Sequence, residues 1–292
     1  MRKLKKLSAI LLTGVLTFSA VACGNSTGNH AKTESGASVQ ERIASVQTKM
    51  QEVKSLEMSM DMDMALKATE DGESFDFTMK TSGVTSMLQD PLKAKSDMTV
   101  DMGELGSQTV QSYIEEVDGK YMVYSGIDNA WTSTELSADL IAQYDAKQSA
   151  NAYLKGFSNA KEVGTEEVNG KQTTKIEGEV SGEALEDMVN ETGLLQSLTG
   201  TVGSDADMLK NMLSDMGGLK ITLWVTDDNE LVKVEEDMTD MMSKMMEKLS
   251  GENGADITME VSTAKLSVTY DKINAVDDFE IPEEAKNATP VN

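Results

Sequence analysis

The segment from Leu56 to Leu66 alternates apolar and mostly polar residues without a break, and this pattern constrains the fold more than any other feature. Successive side chains of a β-strand point to opposite faces of a sheet, so the pattern predicts a strand with one dry and one wet face. The same period of two returns in residues 75–79, 92–102, 219–225 and 257–261. We therefore predict a sheet of about eight to eleven long antiparallel strands.

Turn and helix signals lie between these segments. Residues 70–73, 117–120, 168–171 and 227–230 each contain Gly, Asn or Asp residues that accept positive φ, which predicts tight hairpins. Helical spacing predicts a first helix over Val39–Lys54 with Ser38 as its cap. It also predicts helical regions over 135–157 and 181–216. The acidic runs 227–228 and 235–237 are interpreted as solvated hairpin ends.

The N-terminus predicts export. Residues 1–22 combine a basic start, an apolar stretch and small residues, as a secretory signal peptide does. The sequence Ala20-Val21-Ala22-Cys23 resembles the bacterial lipoprotein box, in which diacylglycerol is attached to the cysteine thiol. Residues 23–38 are polar and small, which predicts a flexible linker after the lipidated cysteine. We expect Cys23, carrying acyl chains such as palmitate, to hold the protein on the outer, extracytoplasmic face of the cell membrane.

Composition narrows the function further. Cys23 is the only cysteine, so the fold must rest on its apolar core without disulfides. There are 21 methionines while aromatic residues make up 4% of the chain, which indicates an interior built largely from flexible thioethers. A formal charge of -24 disfavours nucleic acid as a partner. The only histidine, His30, lies in the linker, and this excludes histidine-based triads and zinc sites. We predict no catalytic residue, no cofactor and no metal.

Four short motifs carry a resemblance to a known family. They are Val117-Asp118-Gly119-Lys120-Tyr121 followed by Trp131, Val168-Asn169-Gly170-Lys171 followed by Thr173-Thr174-Lys175, Leu223-Trp224-Val225, and the tail Phe279-Glu280-Ile281-Pro282-Glu283-Glu284-Ala285. With the order of linker, leading helix, strands and inserted helices, the chain resembles the lipoprotein carriers of the LolA and LppX group. It resembles still more closely the uncharacterised lipoproteins of clostridial-type bacteria (Bacillota) that share that architecture.

The resemblance implies a fold and a function. The fold is α+β, with a long antiparallel sheet curled into an unclosed β-barrel and helices that cover or fill its concave face, all within one domain over residues 39–292. The function is noncovalent binding of an acyl chain, a lipid or a lipopeptide by a monomer. The expected cavity lining is Met58, Met60, Met62, Met64, Phe75, Phe77, Met98, Met102, Ile221 and Leu223. A methionine stripe at strand spacing is more often plain core packing than a ligand wall, so the cavity prediction concerns the group and not any single methionine.

Other readings stay open beside the carrier. A surface lipoprotein could bind another protein or an envelope polymer with no cavity ligand, and an enzyme could use carboxylates alone. A methionine stripe over residues 238–246 has the spacing of an amphipathic helix, although thioethers can also bind Cu(I). Trp224 lies between Leu223 and Val225, so we expect its ring on the face opposite to Leu223.

Overall fold

The computed structural model describes residues 38–70, 73–128, 130–136, 156–181, 184–185, 218–252 and 257–291. Its strands are β1 (Ser55–Glu70), β2 (Glu73–Gln89), β3 (Leu92–Asp101), β4 (Ser107–Val117), β5 (Lys120–Ile127), β6 (Ala130–Glu135), β7 (Phe157–Val168), β8 (Lys171–Val180), β9 (Leu219–Val225), β10 (Leu231–Asp237), β11 (Ile257–Ile273) and β12 (Thr289–Pro290). The helices are α1 (Val39–Gln51), α2 (Thr239–Glu252) and α3 (Glu283–Lys286). A 3-10 turn covers Gly103–Leu105.

The twelve strands form one curled, unclosed sheet in the order β12-β6-β5-β4-β3-β2-β1-β11-β10-β9-β8-β7. The sheet is a meander in two halves, because β1 to β6 follow one another on one side and β7 to β11 on the other. The halves meet where β1 pairs antiparallel with β11, from Leu56 opposite Ile273 to Glu70 opposite Ile257. This long-range pairing places the methionine-rich strand in the middle of the sheet.

The hairpins form where the turn residues predicted them. Asp118, Asn169 and Asn229 have φ values of 53°, 51° and 61°. Asn and Asp tolerate this left-handed conformation because their short side chains hydrogen-bond locally. The turn residues 71–72 lie outside the described residues, although β1 and β2 pair from Glu70 opposite Glu73 onward. Turn chemistry therefore fixes the register of adjacent strands.

Helix α1 begins as predicted, at Val39 with Ser38 as its N-cap, and ends at Gln51, before the predicted end at Lys54. The Glu41 amide donates to the Ser38 hydroxyl at 3.3 Å, and the Ser38 amide donates to the Glu41 carboxylate at 2.8 Å. This reciprocal pair is a capping box, which satisfies two backbone donors at the helix start. Arg42 then donates to the Thr174 hydroxyl and to the Thr226 carbonyl, both at 3.2 Å, so α1 is fixed over β8 and β9.

Apolar side chains collect on one face of the sheet, which we call the apolar face. Its main buried cluster joins α1, through Ile43, Val46 and Met50, to side chains of β1, β3 and β8–β11. Met238, Met241, Met242 and Met246, at the start of α2 and along it, pack against the same cluster. The methionine stripe predicted over residues 238–246 is therefore the buried side of a helix. The helical regions predicted over 135–157 and 181–216 lie largely outside the described residues.

Two sequence interpretations are corrected by the register. Residues 235–237 are part of β10 and not a hairpin end, and Glu236 is 5% exposed because it shares the apolar face with Leu266 and Ile221. By contrast, Asp227 and Asp228 are exposed in the β9–β10 turn, as predicted. The sheet is also not purely antiparallel. Strand β12 pairs parallel with β6, since the C-terminal tail crosses the sheet and ends along its edge.

The C-terminal tail covers the opposite face of the sheet at this edge. Ile281 and Ala285 are buried against Tyr124, and Trp131 packs beside them. The Trp131 ring lies 5.6 Å from the Tyr113 ring, centroid to centroid. A second, smaller core therefore sits on the face away from α1 and α2.

Candidate functional site

The ten residues predicted to line a cavity share the apolar face, but they differ in burial. Five belong to the main buried cluster, namely Met58, Met60, Met98, Ile221 and Leu223. Met64 forms a separate buried cluster with Met79 and Val100. Met62, Phe77 and Met102 are partly buried, and Phe75 is 43% exposed. Side-chain burial on this face thus decreases from a packed centre to a solvent-accessible end.

A glycine positions the methionines at the packed centre. Gly83 lies opposite both Met60 and Met98 in the pairing of β1, β2 and β3. A Cβ atom at Gly83 would lie 2.5 Å from the Met98 sulfur and would also overlap the Asp97 carbonyl oxygen. Any side chain at this position would displace Met98. The flexible thioether fills the space that the glycine leaves.

The accessible end, which we call the apolar rim, consists of Phe75, Phe77, Met102 and Met242. Phe77 and Met242 both pack against the main cluster and against the Met64 cluster, and Met102 packs against the latter. Phe75 is the next residue of β2 on the same face as Phe77, two positions nearer the hairpin, and it lies opposite Ala68. The rim therefore lies where β1 and β2 run toward their hairpin and α2 crosses the sheet.

Thr81 and Glu236 are buried polar side chains on the apolar face, and sequence reasoning did not single them out. Thr81 is 2% exposed and Glu236 is 5% exposed. They lie in one row across the sheet, on either side of Met62 and Leu266. The Thr81 hydroxyl has no hydrogen-bond partner among the described residues. Their burial depends on pairing between distant strands, which local alternation does not reveal.

The polar face carries a groove of about 920 Å³ that extends across β2, β1, β11, β10, β9 and β8 to β7. A twisted sheet is saddle-shaped, so each face is concave along one direction. The floor of the groove is the backbone of one row of residues that are paired across six strands. Side chains of this row point to the apolar face, while the residues before and after them in the sequence point to the polar face. The row consists of Thr81, Met62, Leu266, Glu236, Ile221 and Gly178. The sequence neighbours of this row form two walls.

The walls have different chemistry. Across the strands, the first wall alternates hydroxyls and carboxylates, in the order Ser82, Asp61, Ser267, Glu235, Thr222, Glu177. The second wall alternates lysines and carboxylates, in the order Lys80, Asp63, Lys265, Asp237, Lys220, Glu179. Sequence reasoning missed this groove because the rows combine residues from six strands.

The lysines of the second wall are paired within the protein. Lys80 lies 3.6 Å from Asp63, Lys265 lies 3.5 Å from Asp237, and Lys220 lies 2.6 Å from Asp240 at the start of α2. Its partner raises the pKa of Lys220, chiefly through the hydrogen bond to Asp240. The second wall therefore offers little free positive charge to a ligand.

Trp224 lies beside the first wall, on the face opposite to Leu223 as predicted. It is 2% exposed, and its indole Nε1 donates to Glu166 Oε2 at 2.9 Å. The amines of Lys175 and Lys233 lie 5.1 and 4.6 Å from the ring centre, which is cation–π distance. Lys233 also donates to Glu235 Oε1 at 2.5 Å, which fixes this carboxylate of the first wall.

The described part of the chain contains neither a metal-binding cluster nor a membrane-spanning helix. Its His, Cys, Asp and Glu side chains form no group of three or more that could hold a metal ion. Helices long and apolar enough to cross a membrane are also absent from these residues. Cys23 and His30 lie outside the described ranges.

Comparison with known proteins identifies a family without an assigned activity. Residues 38–290 match the family described as "Family of unknown function (DUF6612)". No curated protein matches the chain significantly.

Several solved structures are similar to the chain at low identity. The lipoprotein LppX of Mycobacterium tuberculosis is 14% identical over 83% of this chain and 98% of its own, with a TM-score of 0.45. LprF of Mycobacterium bovis is 12% identical over 85% and 97%, with a TM-score of 0.48. A LolA superfamily protein of Nitrosomonas europaea is 9% identical over 85% and 94%, with a TM-score of 0.17. The structural neighbours thus include both groups named from the sequence, while a particular closeness to clostridial-type lipoproteins stays a prediction.

Proposed function

Since the chain belongs to DUF6612, a family of unknown function, we propose from its own geometry that it is a membrane-anchored extracytoplasmic lipoprotein that binds a hydrophobic ligand. The ligand class is an acyl chain, a lipid or a lipopeptide. One observation carries the proposal, which is that the apolar face does not end at its packed core. It continues into the apolar rim, where Phe75 is 43% exposed and Phe77, Met102 and Met242 are partly buried.

The chemistry of the rim suits a flexible hydrocarbon. Phenylalanine rings bring large apolar surface, and unbranched methionines adapt their shape to a guest. Burial of one methylene contributes about 0.8 kcal/mol, so about ten carbons could be bound with no ion pair at all. Met62 extends the rim toward the centre of β1, since it is partly buried and packs against the main cluster. The more deeply buried methionines would then contact only the inner end of a bound chain.

The anchor belongs to the same proposal. Diacylglycerol on Cys23 would hold the protein at the outer face of the cell membrane, and the linker of residues 23–38 would let the folded part reach lipid at that surface. The folded part of residues 39–292 then acts as a single monomeric domain without enzymatic activity. All four side chains of the rim are apolar, and noncovalent binding of a hydrophobic ligand requires only such contacts.

The test is native mass spectrometry of protein purified gently from cells that express the full-length chain. We expect a noncovalent adduct of lipid mass that disappears under denaturing conditions, where only the covalent anchor on Cys23 persists. We also expect saturable binding of a fluorescent fatty acid. Protein that is repeatedly bare and does not bind the probe would overturn the proposal, and would leave a surface lipoprotein that binds a protein or an envelope polymer.

A further inference from the structure

We infer that the polar groove binds a basic polypeptide segment in the polyproline II conformation, with a lysine or arginine at every third residue. The groove is a second site, separated by the sheet from the apolar face. Its volume of about 920 Å³ and its course across seven strands accommodate a chain that crosses the strands rather than one that pairs with them.

The unpaired charges in the groove indicate the charge of its ligand. In the first wall, the carboxylates of Asp61 and Glu177 make no salt bridge and no side-chain hydrogen bond with any residue in the described ranges. Glu235 is hydrogen-bonded to Lys233 on one oxygen. In the second wall, positive and negative side chains neutralise each other in the ion pairs Lys80–Asp63 and Lys265–Asp237. The first wall therefore presents unpaired negative charge, which complements a cation.

One positive side chain lies at the end of the groove. Lys161 on β7 is the direct cross-strand neighbour of Glu177, yet it forms no ion pair within 4.0 Å among the described residues. An incoming cation at Glu177 would therefore have to share this carboxylate with Lys161. We expect Glu177 to contribute less to binding than Asp61 does.

The spacing of the carboxylates selects the conformation of the ligand. Asp61, Glu235 and Glu177 lie on every second strand, because Ser267 and Thr222 fill the positions between them. Neighbouring strands are about 4.8 Å apart, so the carboxylates repeat at about 9.6 Å. A polyproline II helix has three residues per turn and rises about 3.1 Å per residue, so equivalent side chains repeat at about 9.3 Å. In a β-strand they repeat at about 6.7 Å, which does not match.

The hydroxyls between the carboxylates complete the fit. A polyproline II chain has no internal hydrogen bonds, so its carbonyl groups need donors from the surroundings. Ser82, Ser267 and Thr222 each carry a hydroxyl that can donate, and they alternate with the carboxylates along the wall. A basic side chain can thus meet each carboxylate while the peptide backbone between them meets a hydroxyl.

The test compares two fluorescent heptapeptides on protein purified from cells that express the full-length chain. The first is Lys-Pro-Pro-Lys-Pro-Pro-Lys, and the second has the same composition with its three lysines adjacent. By fluorescence anisotropy at low salt, we expect the spaced peptide to bind at least about fivefold more tightly. Added salt should weaken the binding, because exposed charges are screened.

Two triple variants locate the binding. Neutralising the first wall with Asp61→Asn, Glu235→Gln and Glu177→Gln should weaken the spaced peptide about tenfold, since each exposed ion pair contributes modestly. The control triple, Asp76→Asn, Glu104→Gln and Glu260→Gln, removes three exposed carboxylates outside the groove. It makes the same change in net charge and should change affinity by less than about twofold.

Three results would overturn the inference. The first is absence of binding by the spaced peptide at low salt. The second is equal binding of the two peptides, which would mean attraction by net charge without a matched spacing. The third is an equal loss in both triple variants, which would place the binding outside the groove. Circular dichroism of each variant shows whether the fold is retained.

Discussion

Trp224 shows how side chains pack and hydrogen-bond on the polar face. Its ring is 2% exposed, is flanked by two lysines and donates to Glu166, whereas Trp131 is only partly buried beside Tyr113. Loss of a buried tryptophan to alanine typically costs about 3–5 kcal/mol. We expect Trp224→Ala to lower the free energy of unfolding in urea by about this amount, and Trp131→Ala to lower it by less. An equal or larger loss at Trp131 would contradict this assignment of the two rings.

Glu57 provides a prediction about pH. The hydrogen bond from Lys272, 2.6 Å away, lowers the pKa of Glu57 below its ordinary value of 4.5, with help from Ser86. A carboxyl with a lowered pKa stabilises the fold above the ordinary value, and this contribution is lost as the pH falls through the lowered pKa. We expect Glu57→Gln to destabilise the protein near neutral pH, with the difference from the wild type shrinking in acid. The measurement is urea unfolding across this pH range.

Substitution of an exposed glutamate serves as the control for Glu57→Gln. Glu73 is exposed on the neighbouring strand, so Glu73→Gln should leave the unfolding free energy nearly unchanged at every pH. If Glu57→Gln destabilised equally in acid and at neutral pH, its effect would come from lost packing. The hydrogen bond with Lys272 would then contribute nothing that depends on ionisation.

Local sequence patterns predicted many of the strands, turns and helices. The alternation of apolar and polar residues predicted β1 and its buried face. Asn, Asp and Gly residues predicted the hairpins, and Ser38 predicted the start of α1. The features that were missed depend on long-range pairing. Glu236 is buried because β10 lies between β9 and β11, and the groove exists because β1 lies beside β11. No local window of the sequence contains these neighbours.

The capping box of α1 gives a prediction for an element. Ser38→Ala removes the hydroxyl that accepts from the Glu41 amide, and loss of such a cap costs about 1 kcal/mol. Ser45 is a matched control because it lies inside the same helix and donates only to the Glu41 carbonyl. We expect Ser45→Ala to be neutral or slightly stabilising, since alanine favours helix interiors. Equal effects of the two substitutions in urea unfolding would refute a capping role.

The proposed lipid anchor on Cys23 concerns the whole molecule, because it would determine where the protein acts. We expect the Cys23→Ser variant to leave the membrane fraction and to lose incorporation of a labelled fatty acid. The folded part should keep its circular dichroism spectrum, because Cys23 precedes the family match at residues 38–290. A Cys23→Ser protein that stays with the membrane and still carries label would contradict the lipoprotein assignment.

Two substitutions on β2 test whether hydrophobic ligands bind on the apolar face. Phe75 and Val84 are both 43% exposed, and they lie on opposite faces of the same strand. A buried charge is costly against a hydrocarbon, so Phe75→Asp should weaken binding of a fluorescent fatty acid by about tenfold or more. Val84→Asp should leave the affinity within about twofold of the wild type. Equal affinities of the two variants, or a greater loss at Val84, would contradict ligand binding on the apolar face.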